Sequence, residues 1–501
     1  MLDKIRNAAI LLYPSPGAYF DLAIHIGFLI FVLALPFGHS TIVLYAGLTL
    51  ALLGWIGRIC RERKFEWKRT PLDIPIALFL ALALVGSFFA PNPSSSSLGY
   101  FWKLLRAVLL FYAVIHSRLG ERWRYMVVAF LLAGGVSAVL GLWYDFNGTN
   151  MGVVRLFSVN PTLLQSDYSE KLPSVDWARA FENNGRRLSQ NASISPSKKD
   201  AEWTITDEET SRKYIVRRSQ EQLDVYYVEP RLAGTFKMPN DLGAYLVIAV
   251  PIAMGYFISA WRTRRNRDGR LPIHWGWIVS LGFILCVMGA NLALTLTRAA
   301  WVAVFFAAVY MAICFKRRLL WGLLILAVLS PFFMPKVVKD RFQTVWQRPS
   351  GFMSERPQWW KTSTQLIAKY PITGIGLGRF RHEYKLHGPP DMYHEPYHAH
   401  NIYLHIAVEQ GIPSLLLFFW MLFLIFHRLF ALRKNGGFWR SGLYIGGSGF
   451  LISALIYGLA DHILHQRPLL MFWFIIGIVF YVTSQSIESE SQTPFTTVRS
   501  A

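Results

Sequence analysis

Long apolar runs recur along the whole sequence and constrain the fold more than any other feature. An α-helix needs roughly 17–25 apolar residues to cross a hydrocarbon core about 30 Å thick. The sequence contains about 12 runs of this kind, at 19–37, 41–57, 72–90, 101–116, 124–145, 240–260, 275–294, 299–315, 318–334, 401–426, 441–460 and 468–485. It therefore predicts an all-α polytopic membrane protein.

Lys and Arg residues are distributed unevenly between the short connections. One set holds 21 of them and comprises 58–70, 117–124, 262–270, 316–318 and 427–440. The alternate set holds two and comprises 38–40, 91–100, 295–298 and 461–467. Cytoplasmic loops carry the excess of positive charge, so the first set and both termini are predicted to be cytoplasmic. The net charge of +21 thus reflects orientation in a membrane, and no nucleic-acid partner is predicted.

Two long hydrophilic segments fall on the opposite, predicted periplasmic side. In the first, "WTITDEETSRKYIVRRSQEQLDVYYV" indicates a β-hairpin. In the second, "RPQWWKTSTQLIAKYPITGIGLGRF" indicates an amphipathic helix closed by Pro371 and a Gly-rich turn. The predicted organisation is a five-span segment, a first large loop, a four-span segment, a second large loop, a three-span segment and a cytoplasmic tail, at 1–145, 146–238, 239–334, 335–400, 401–485 and 486–501.

Basic and titratable side chains collect at the boundary between these loops and the spans. Arg231 precedes the sixth span, Arg298 lies in a turn of a few residues, and His400 precedes the tenth span. Lys103 and Arg106 fall inside the fourth span, where contact with lipid headgroups and a functional role are equally open. A cation at this depth needs water or an anionic partner. His400 taken alone would be more typical of a helix cap. Because Arg231 and Arg298 are predicted to lie at the same membrane surface, the three residues together predict a functional site.

The sequence lacks the motifs that are typical of several kinds of enzyme chemistry. His394, His398, His400 and His405 are close in sequence, but no acidic ligand cluster accompanies them. His400 and His405 would lie about 140° apart around a helix, which is poor for binding one ion. The sequence has no GKS/T phosphate loop and no GxSxG elbow. No metal and no other cofactor is therefore predicted.

Four stretches resemble one known family. They are "RLAGTFKMPNDLGAYL", "LTLTRAAWVA", "RPQWWKTSTQLIAKYPITGIGLGRF" and "HAHNIYLHIAVEQGIPSLL". With them the chain resembles the O-antigen ligase family, which shares a C-terminal module with O-antigen polymerases and bacterial O-oligosaccharyltransferases. The resemblance covers residues 230–485 by motif. The last stretch is the most specific for this superfamily, although it does not choose among its members.

The resemblance implies a glycosyltransferase of the GT-C architecture that needs neither metal nor nucleotide. The expected substrates are an undecaprenyl-diphosphate-linked glycan as donor and lipid A-core as acceptor, in contact with membrane lipids at the periplasmic face of the bacterial inner membrane. By position, Arg231 and Arg298 take the family's arginine roles in binding the diphosphate, and His400 takes the histidine role as catalytic base. Lys103 and Arg106 are further candidates for donor binding.

The chemistry of these residue types agrees with the resemblance. A histidine near neutrality can accept the proton of an attacking hydroxyl, and guanidinium groups bind phosphate oxygens in a bidentate manner. Direct displacement would invert the anomeric centre. Asn401 is predicted to cap the helix or to orient the imidazole, with the cap favoured. Further candidates for contact with the diphosphate or the acceptor are His398, Arg356, Arg379 and Arg381.

Alternatives remain open at this stage. The same donor chemistry would serve an O-antigen or exopolysaccharide polymerase, or a protein O-oligosaccharyltransferase. A polyprenyl-glycan transporter is a different class, but carriers place ionisable residues near the bilayer midplane, often in repeated halves. In this sequence the charges gather at one face and no repeat is evident, which favours an enzyme. The break at 411–413 is expected to kink the tenth span and to open a groove for lipid.

Overall fold

The computed structural model describes most of the membrane part and five strands outside it. The described residues are 18–63, 67–147, 151–159, 176–182, 188, 191–196, 202–207, 212–219, 222–265, 274–315, 317–318, 320–322, 324–325, 328, 332, 338–339, 352–389, 396–433, 437–463 and 466–491. Most of the predicted span 318–334 lies outside them, as does His394. The first five helices are α1 (Ala18–Ala34), α2 (Thr41–Glu62), α3 (Asp73–Phe88), α4 (Ser96–His116) and α5 (Trp123–Phe146).

The later helices follow a similar pattern. They are α6 (Trp177–Glu182), α7 (Pro239–Arg265), α8 (Trp275–Leu294), α9 (Arg298–Phe315), α10 (Phe352–Lys369), α11 (Phe380–His387), α12 (Ile402–Ala431), α13 (Phe438–Gly458) and α14 (Gln466–Ser491). Among the described residues, nine helices are long and apolar enough to cross a membrane, and two shorter apolar helices correspond to α1 and α3. The protein is therefore a mostly helical, multi-pass membrane protein, whereas the exact count of 12 spans stays a prediction.

Close contact between α7 and α13 builds the centre of the bundle. A Cβ atom on Gly255 of α7 would collide with the backbone of Gly446 in α13, and a Cβ on Gly446 would meet the backbone of Ile252. Small residues allow two helix backbones to approach, which is how helices associate where lipid supplies little hydrophobic drive between them. Both helices are consequently among the most buried parts of the bundle.

A five-stranded antiparallel sheet occupies the described part of the first large loop. Its strands are β1 (Met151–Val159), β2 (Ser193–Pro196), β3 (Glu202–Asp207), β4 (Arg212–Ser219) and β5 (Gln222–Leu232), in the order β1-β5-β4-β3-β2. The predicted hairpin coincides with β3, β4 and β5, so the structure extends that prediction. Trp177 and Phe181 of α6 pack against one face of the sheet. Because β1 follows α5 and β5 precedes α7, this pair joins the sheet to the bundle.

One end of the bundle collects the turns next to the predicted site residues, and we call it the site end. It comprises residues 35–40, 89–95, 235–241, 295–297, 396–401 and 459–463. Arg467 donates to the carbonyls of Leu35 (3.3 Å) and Gly38 (3.0 Å) in this end, and to Ala34 O just before it at 2.8 Å. Thr235 donates through Oγ1 to the carbonyl of Pro36. Turns that are distant in sequence are thus held together by side-chain bonds to backbone oxygens.

Helix α12 is interrupted at Gly411, which has φ 81° and ψ 168°. The segment 371–376 fills the interruption: the amides of Ile375 and Gly376 donate to the carbonyls of Val408 (2.9 Å) and Glu409 (3.0 Å). In return, the amide of Ile412 donates to Pro371 O at 2.8 Å. The predicted break is therefore present. Its backbone groups are bonded to the Gly-rich turn that follows α10, which ends before Pro371 as the sequence predicted.

We expect Gly411→Ala to lower the thermal unfolding midpoint of the protein in detergent. A Cβ at this position would collide with the carbonyl of Ile372, and the positive φ alone costs about 1–3 kcal/mol for a non-Gly residue. The matched control is Gly289→Ala in α8, where an added Cβ meets nothing within 4 Å. Intrinsic fluorescence during heating measures both variants. Equal midpoints would contradict the role given to Gly411.

Candidate functional site

The candidate site forms where the segment before α12 meets the connection between α13 and α14. His400 Nδ1 lies 3.0 Å from Asp461 Oδ1. An ionised carboxylate can only accept a hydrogen bond, so Nδ1–H donates, and in the neutral ring Nε2 carries the lone pair. Such a nitrogen can take a proton from a substrate, while the carboxylate behind the ring stabilises the imidazolium that forms.

The surroundings of His400 fix its position. Its backbone has φ 47°, a conformation that costs a non-Gly residue about 1–3 kcal/mol. Its amide donates to His398 Nδ1 at 3.2 Å. The ring of Trp359 in α10 stacks on the imidazole with centroids 4.8 Å apart and an interplanar angle of 26°. Strain of this kind persists where several contacts determine the same geometry, and here they orient a titratable ring.

Asn401 caps α12. Its Oδ1 accepts from the amides of Tyr403 and Leu404, both at 3.0 Å. Its Nδ2 donates to Leu459 O at 3.1 Å, two residues before Asp461. The cap predicted from the sequence is therefore formed, and the same side chain ties the start of α12 to the segment that carries the carboxylate.

Asp461 is buried, with 7% of its surface exposed. Burial disfavours its charged form, but the hydrogen bond and charge of His400 outweigh burial and hold the pKa of Asp461 below its ordinary value. The charge of His398 and the amide of His462 act in the same direction. Tyr457 donates to Oδ2 at 3.3 Å, and His462 N–H donates to Oδ1 at 2.8 Å. The site therefore contains an ionised carboxylate of fixed orientation.

Arg231 contacts the turn of the site end that immediately precedes Arg298. Arg231 lies at the end of β5 and donates through Nε to Thr295 O at 2.8 Å. Its Nη2 donates to Asn240 Oδ1 at 2.6 Å and to Thr297 Oγ1 at 3.0 Å. These bonds fix the turn that immediately precedes Arg298, the half-buried first residue of α9. Arg231 thus joins the sheet to the turn that carries the second arginine.

The four other candidates from the second large loop lie at different places in the structure. His398 lies 4.0 Å from Asp461 Oδ1 through its Nδ1. Arg356 lies within electrostatic reach of the Tyr457 hydroxyl, which contacts the same carboxylate. Arg379 stands at the N-terminus of α11, and Arg381 lies over the Tyr397 ring at 4.4 Å.

The two cations of α4 also differ. Lys103 lies 4.0 Å over the Tyr100 ring and lines a cavity beside the histidines. Arg106 instead contacts Tyr45, with Nη2 3.2 Å from its hydroxyl and the guanidinium 4.3 Å from its ring centroid. Of this predicted pair, Lys103 is the one that the structure brings to the cavity.

The cavity has a volume of about 490 Å³ and is lined by both polar and apolar side chains. Its polar lining residues include Lys103, Asp241, His398, His405, Glu409 and His462. Its apolar lining residues include Phe418, Met421, Leu422, Ile425, Phe472 and Trp473. Leu377 and Gly378, just after the segment that fills the break in α12, also line it. A ligand with a charged head and a long apolar tail fits this arrangement of side chains.

Three residues of the site could hold a metal ion. His398, His400 and Asp461 each offer one ligand atom, and these atoms lie within 4.8 Å of one another. Two imidazole nitrogens and a carboxylate oxygen are ligands that zinc accepts. No metal was predicted, from the spacing of His400 and His405 and the lack of a nearby acidic cluster, whereas Asp461 lies 61 positions from His400.

Asp461 is the main site residue that the sequence analysis missed. It is 61 positions from its partner His400, in a connection with no recognisable motif. One signal was available: "ADHILHQ" places an acidic residue at the site end, between two spans, and ionisable residues at such positions usually have a role.

A comparison with known families matches residues 283–419 to the family described as O-antigen ligase. Over residues 283–419, the chain is similar to the O-antigen ligase family. The matched stretch contains the turn at 295–297, Arg298, α10, α11, His400 and the break in α12. None of the curated proteins that were compared matches the chain.

The match over these residues confirms the resemblance to the O-antigen ligase family that was inferred from the motifs. It indicates a membrane transferase of the O-antigen ligase or polymerase type, whose substrates are in general a lipid-linked glycan and lipids. The match does not reach Arg231 or Asp461. The contacts of these two residues with the matched stretch come from the structure.

We expect Asp461→Asn to destabilise the protein at pH 7 by about 1.5–3 kcal/mol, the usual contribution of a hydrogen bond to a charged group. The ordinary pKa of an Asp side chain is near 3.9, and the pKa of Asp461 in the folded protein lies below that value. The stabilising contribution of Asp461 is therefore present above about pH 3.9 and is lost as the pH falls through the folded pKa. Denaturant unfolding in detergent should show a difference from the wild type at pH 7 that narrows below about pH 4.

The control for this comparison is Glu62→Gln, which removes a partly exposed ion pair with Arg118. Exposed pairs contribute about 0–1 kcal/mol, so this variant should change little at either pH. An Asp461→Asn difference as small as that of Glu62→Gln would contradict the stabilising role of the buried carboxylate.

Proposed function

We propose that this protein is an O-antigen ligase of lipopolysaccharide synthesis, which transfers a glycan from undecaprenyl diphosphate to a hydroxyl of lipid A-core. The observation that supports it most is that His398 and His462, which contact the His400–Asp461 pair, also line a cavity with many apolar side chains. A donor with a polyprenyl tail would lie along those apolar side chains. Its diphosphate and first sugar would then be near the histidines.

The reaction is a displacement at C1 of the donor sugar. The acceptor hydroxyl oxygen forms a bond to C1, and the bond between C1 and the diphosphate oxygen breaks with its electron pair on the departing diphosphate. His400 Nε2 accepts the hydroxyl proton. Asp461 keeps Nδ1–H in place and balances the charge of the imidazolium. Attack opposite the leaving group inverts the anomeric centre.

Cations stabilise the departing diphosphate in this proposal. Arg298 is the primary candidate, because the bonds of Arg231 fix its turn and a guanidinium binds phosphate oxygens in a fork. Lys103 on the cavity wall and Arg356 near Tyr457 add positive charge. Preorganised charge of this kind lowers the barrier because it meets the charge that develops in the transition state. The donor is already activated, so the mechanism requires no nucleotide.

The distribution of Lys and Arg residues supports a periplasmic location of the site end. The connections at the other end hold the 21 Lys and Arg residues, and such loops face the cytoplasm. The acceptor would then approach from the periplasmic side, while the donor tail remains in the bilayer.

We expect His400→Ala to reduce transfer by about 10²–10⁴-fold, the usual contribution of a general base, while binding of the donor is largely retained. The assay uses purified protein in lipid and an undecaprenyl-diphosphate-linked glycan, with lipid A-core or additional lipid-linked glycan as acceptor. Transfer to lipid A-core that is lost in the variant supports the ligase.

The control is His427→Ala, a histidine near the opposite end of α12, which should retain wild-type rates. Near-normal transfer in His400→Ala would rule out the general-base role. Elongation on the lipid carrier in place of transfer to lipid A-core would reassign the same chemistry to a polymerase. The absence of both products, with donor bound, would direct the search to protein acceptors.

We expect Arg298→Lys to reduce turnover by about tenfold or more, since an ammonium cannot reproduce a bidentate guanidinium contact. The matched control is Arg433→Lys at the opposite end of the bundle, where the side chain is exposed. The measurement is the initial rate of transfer at saturating donor. Equal rates in the two variants would assign Arg298 a structural role.

A further inference from the structure

The His398, His400 and Asp461 side chains converge with ligand atoms facing one another. Asp461 Oδ1 lies 3.0 Å from His400 Nδ1 and 4.0 Å from His398 Nδ1. All three ligand atoms lie within 4.8 Å of one another. In a tetrahedral zinc site with bonds of about 2.0–2.1 Å, neighbouring ligand atoms lie about 3.3 Å apart. Small rotations of the two imidazoles would bring these atoms to that spacing.

The protonation states also suit a metal. Ligands must be deprotonated, and Asp461 is held ionised by its neighbours. His398 Nδ1 accepts the amide of His400, so this nitrogen already carries a lone pair. Only His400 Nδ1 must lose a proton, and Nε2 of the same ring takes one up. Metal binding therefore replaces two hydrogen bonds with coordinate bonds, with no net release of a proton from the neutral ring.

Surrounding contacts hold the potential ligands in place. Tyr457 and the amide of His462 bond to the carboxylate of Asp461, and Trp359 stacks on His400. Partners of this kind orient ligands and raise the affinity of a metal site. The His462 ring, whose centroid is 5.5 Å from that of His398, could supply a fourth ligand, as could water.

We propose that His398, His400 and Asp461 form an inhibitory zinc site that overlaps the catalytic base. A metal on His400 Nδ1 forces the ring proton onto Nε2, because a neutral imidazole carries one N–H. Nε2 then has no lone pair and cannot accept the hydroxyl proton of the acceptor. Zinc would thus switch the base off without displacing the donor. The binding of zinc is independent of the proposed function, whereas the inhibition rests on it.

The test of the site is direct and does not require turnover. Cobalt(II) is titrated into the purified full chain, without a histidine tag, and its visible absorption is recorded. We expect bands that saturate at one cobalt per chain and disappear when zinc is added. His398→Gln should abolish these bands, and Asp461→Asn should do the same. His427→Gln is the control and should bind cobalt as the wild type does.

The test of inhibition uses the transfer assay with zinc and then EDTA. We expect saturating zinc to lower the rate by about 10²-fold or more, the contribution of a general base, and EDTA to restore it. His398→Gln should have lower sensitivity to zinc than the wild type.

The outcomes separate the two proposals. If no cobalt bands appear, or if they persist unchanged in His398→Gln, the metal site is wrong whatever the protein transfers. If zinc binds but raises the rate, or if EDTA alone abolishes transfer, the inhibitory role is wrong. If no acceptor supports transfer although His398→Gln loses the cobalt bands, the zinc site stands and the proposed ligase function fails.

Discussion

The architecture depends on how the break in α12 satisfies its backbone. A helix interrupted within a membrane exposes amides and carbonyls that lipid cannot bond, and such breaks are tolerated only where protein or water supplies partners. Here the turn after α10 supplies them, with Ile375 and Gly376 donating to α12 and Pro371 accepting from it. This exchange anchors α10 and α11 to the bundle. It thereby places Trp359 against His400 and Leu377 on the cavity wall.

The membrane helices could be predicted because they follow from local composition. Hydropathy located the helices, and the motif around His400 selected a residue that the structure places beside Asp461 and Trp359. Its role stays a prediction. The partner of His400 could not be predicted in this way, because its pairing joins residues 61 positions apart. The sheet posed the same difficulty: β1 pairs with β5 through Met151 and Leu232, and no local pattern specifies that pairing.

The break in α12 could be predicted from the sequence, but the segment that binds it could not. Gly411 and Pro413 identify a break, and a groove for lipid was the expected consequence. The structure shows that the break binds another segment, and that the cavity lies beside it with Glu409 and Gln410 in its wall. A local pattern can reveal that backbone groups lose their helical partners. It does not reveal which segment replaces those partners, because that depends on the tertiary fold.

The proposed catalytic pair, His400 and Asp461, is built from two parts of the chain, of which only the first matches the family. The O-antigen ligase match ends at residue 419 and contains His400, whereas its carboxylate lies beyond α13. Asn401, the cap of α12, donates to Leu459 O, and Tyr457 donates to Asp461. Hydrogen bonds therefore connect the matched part to the segment that carries Asp461. An imidazole without its carboxylate would lack both a fixed tautomer and a counter-charge. The candidate site therefore extends beyond the matched residues, to the connection that follows α13.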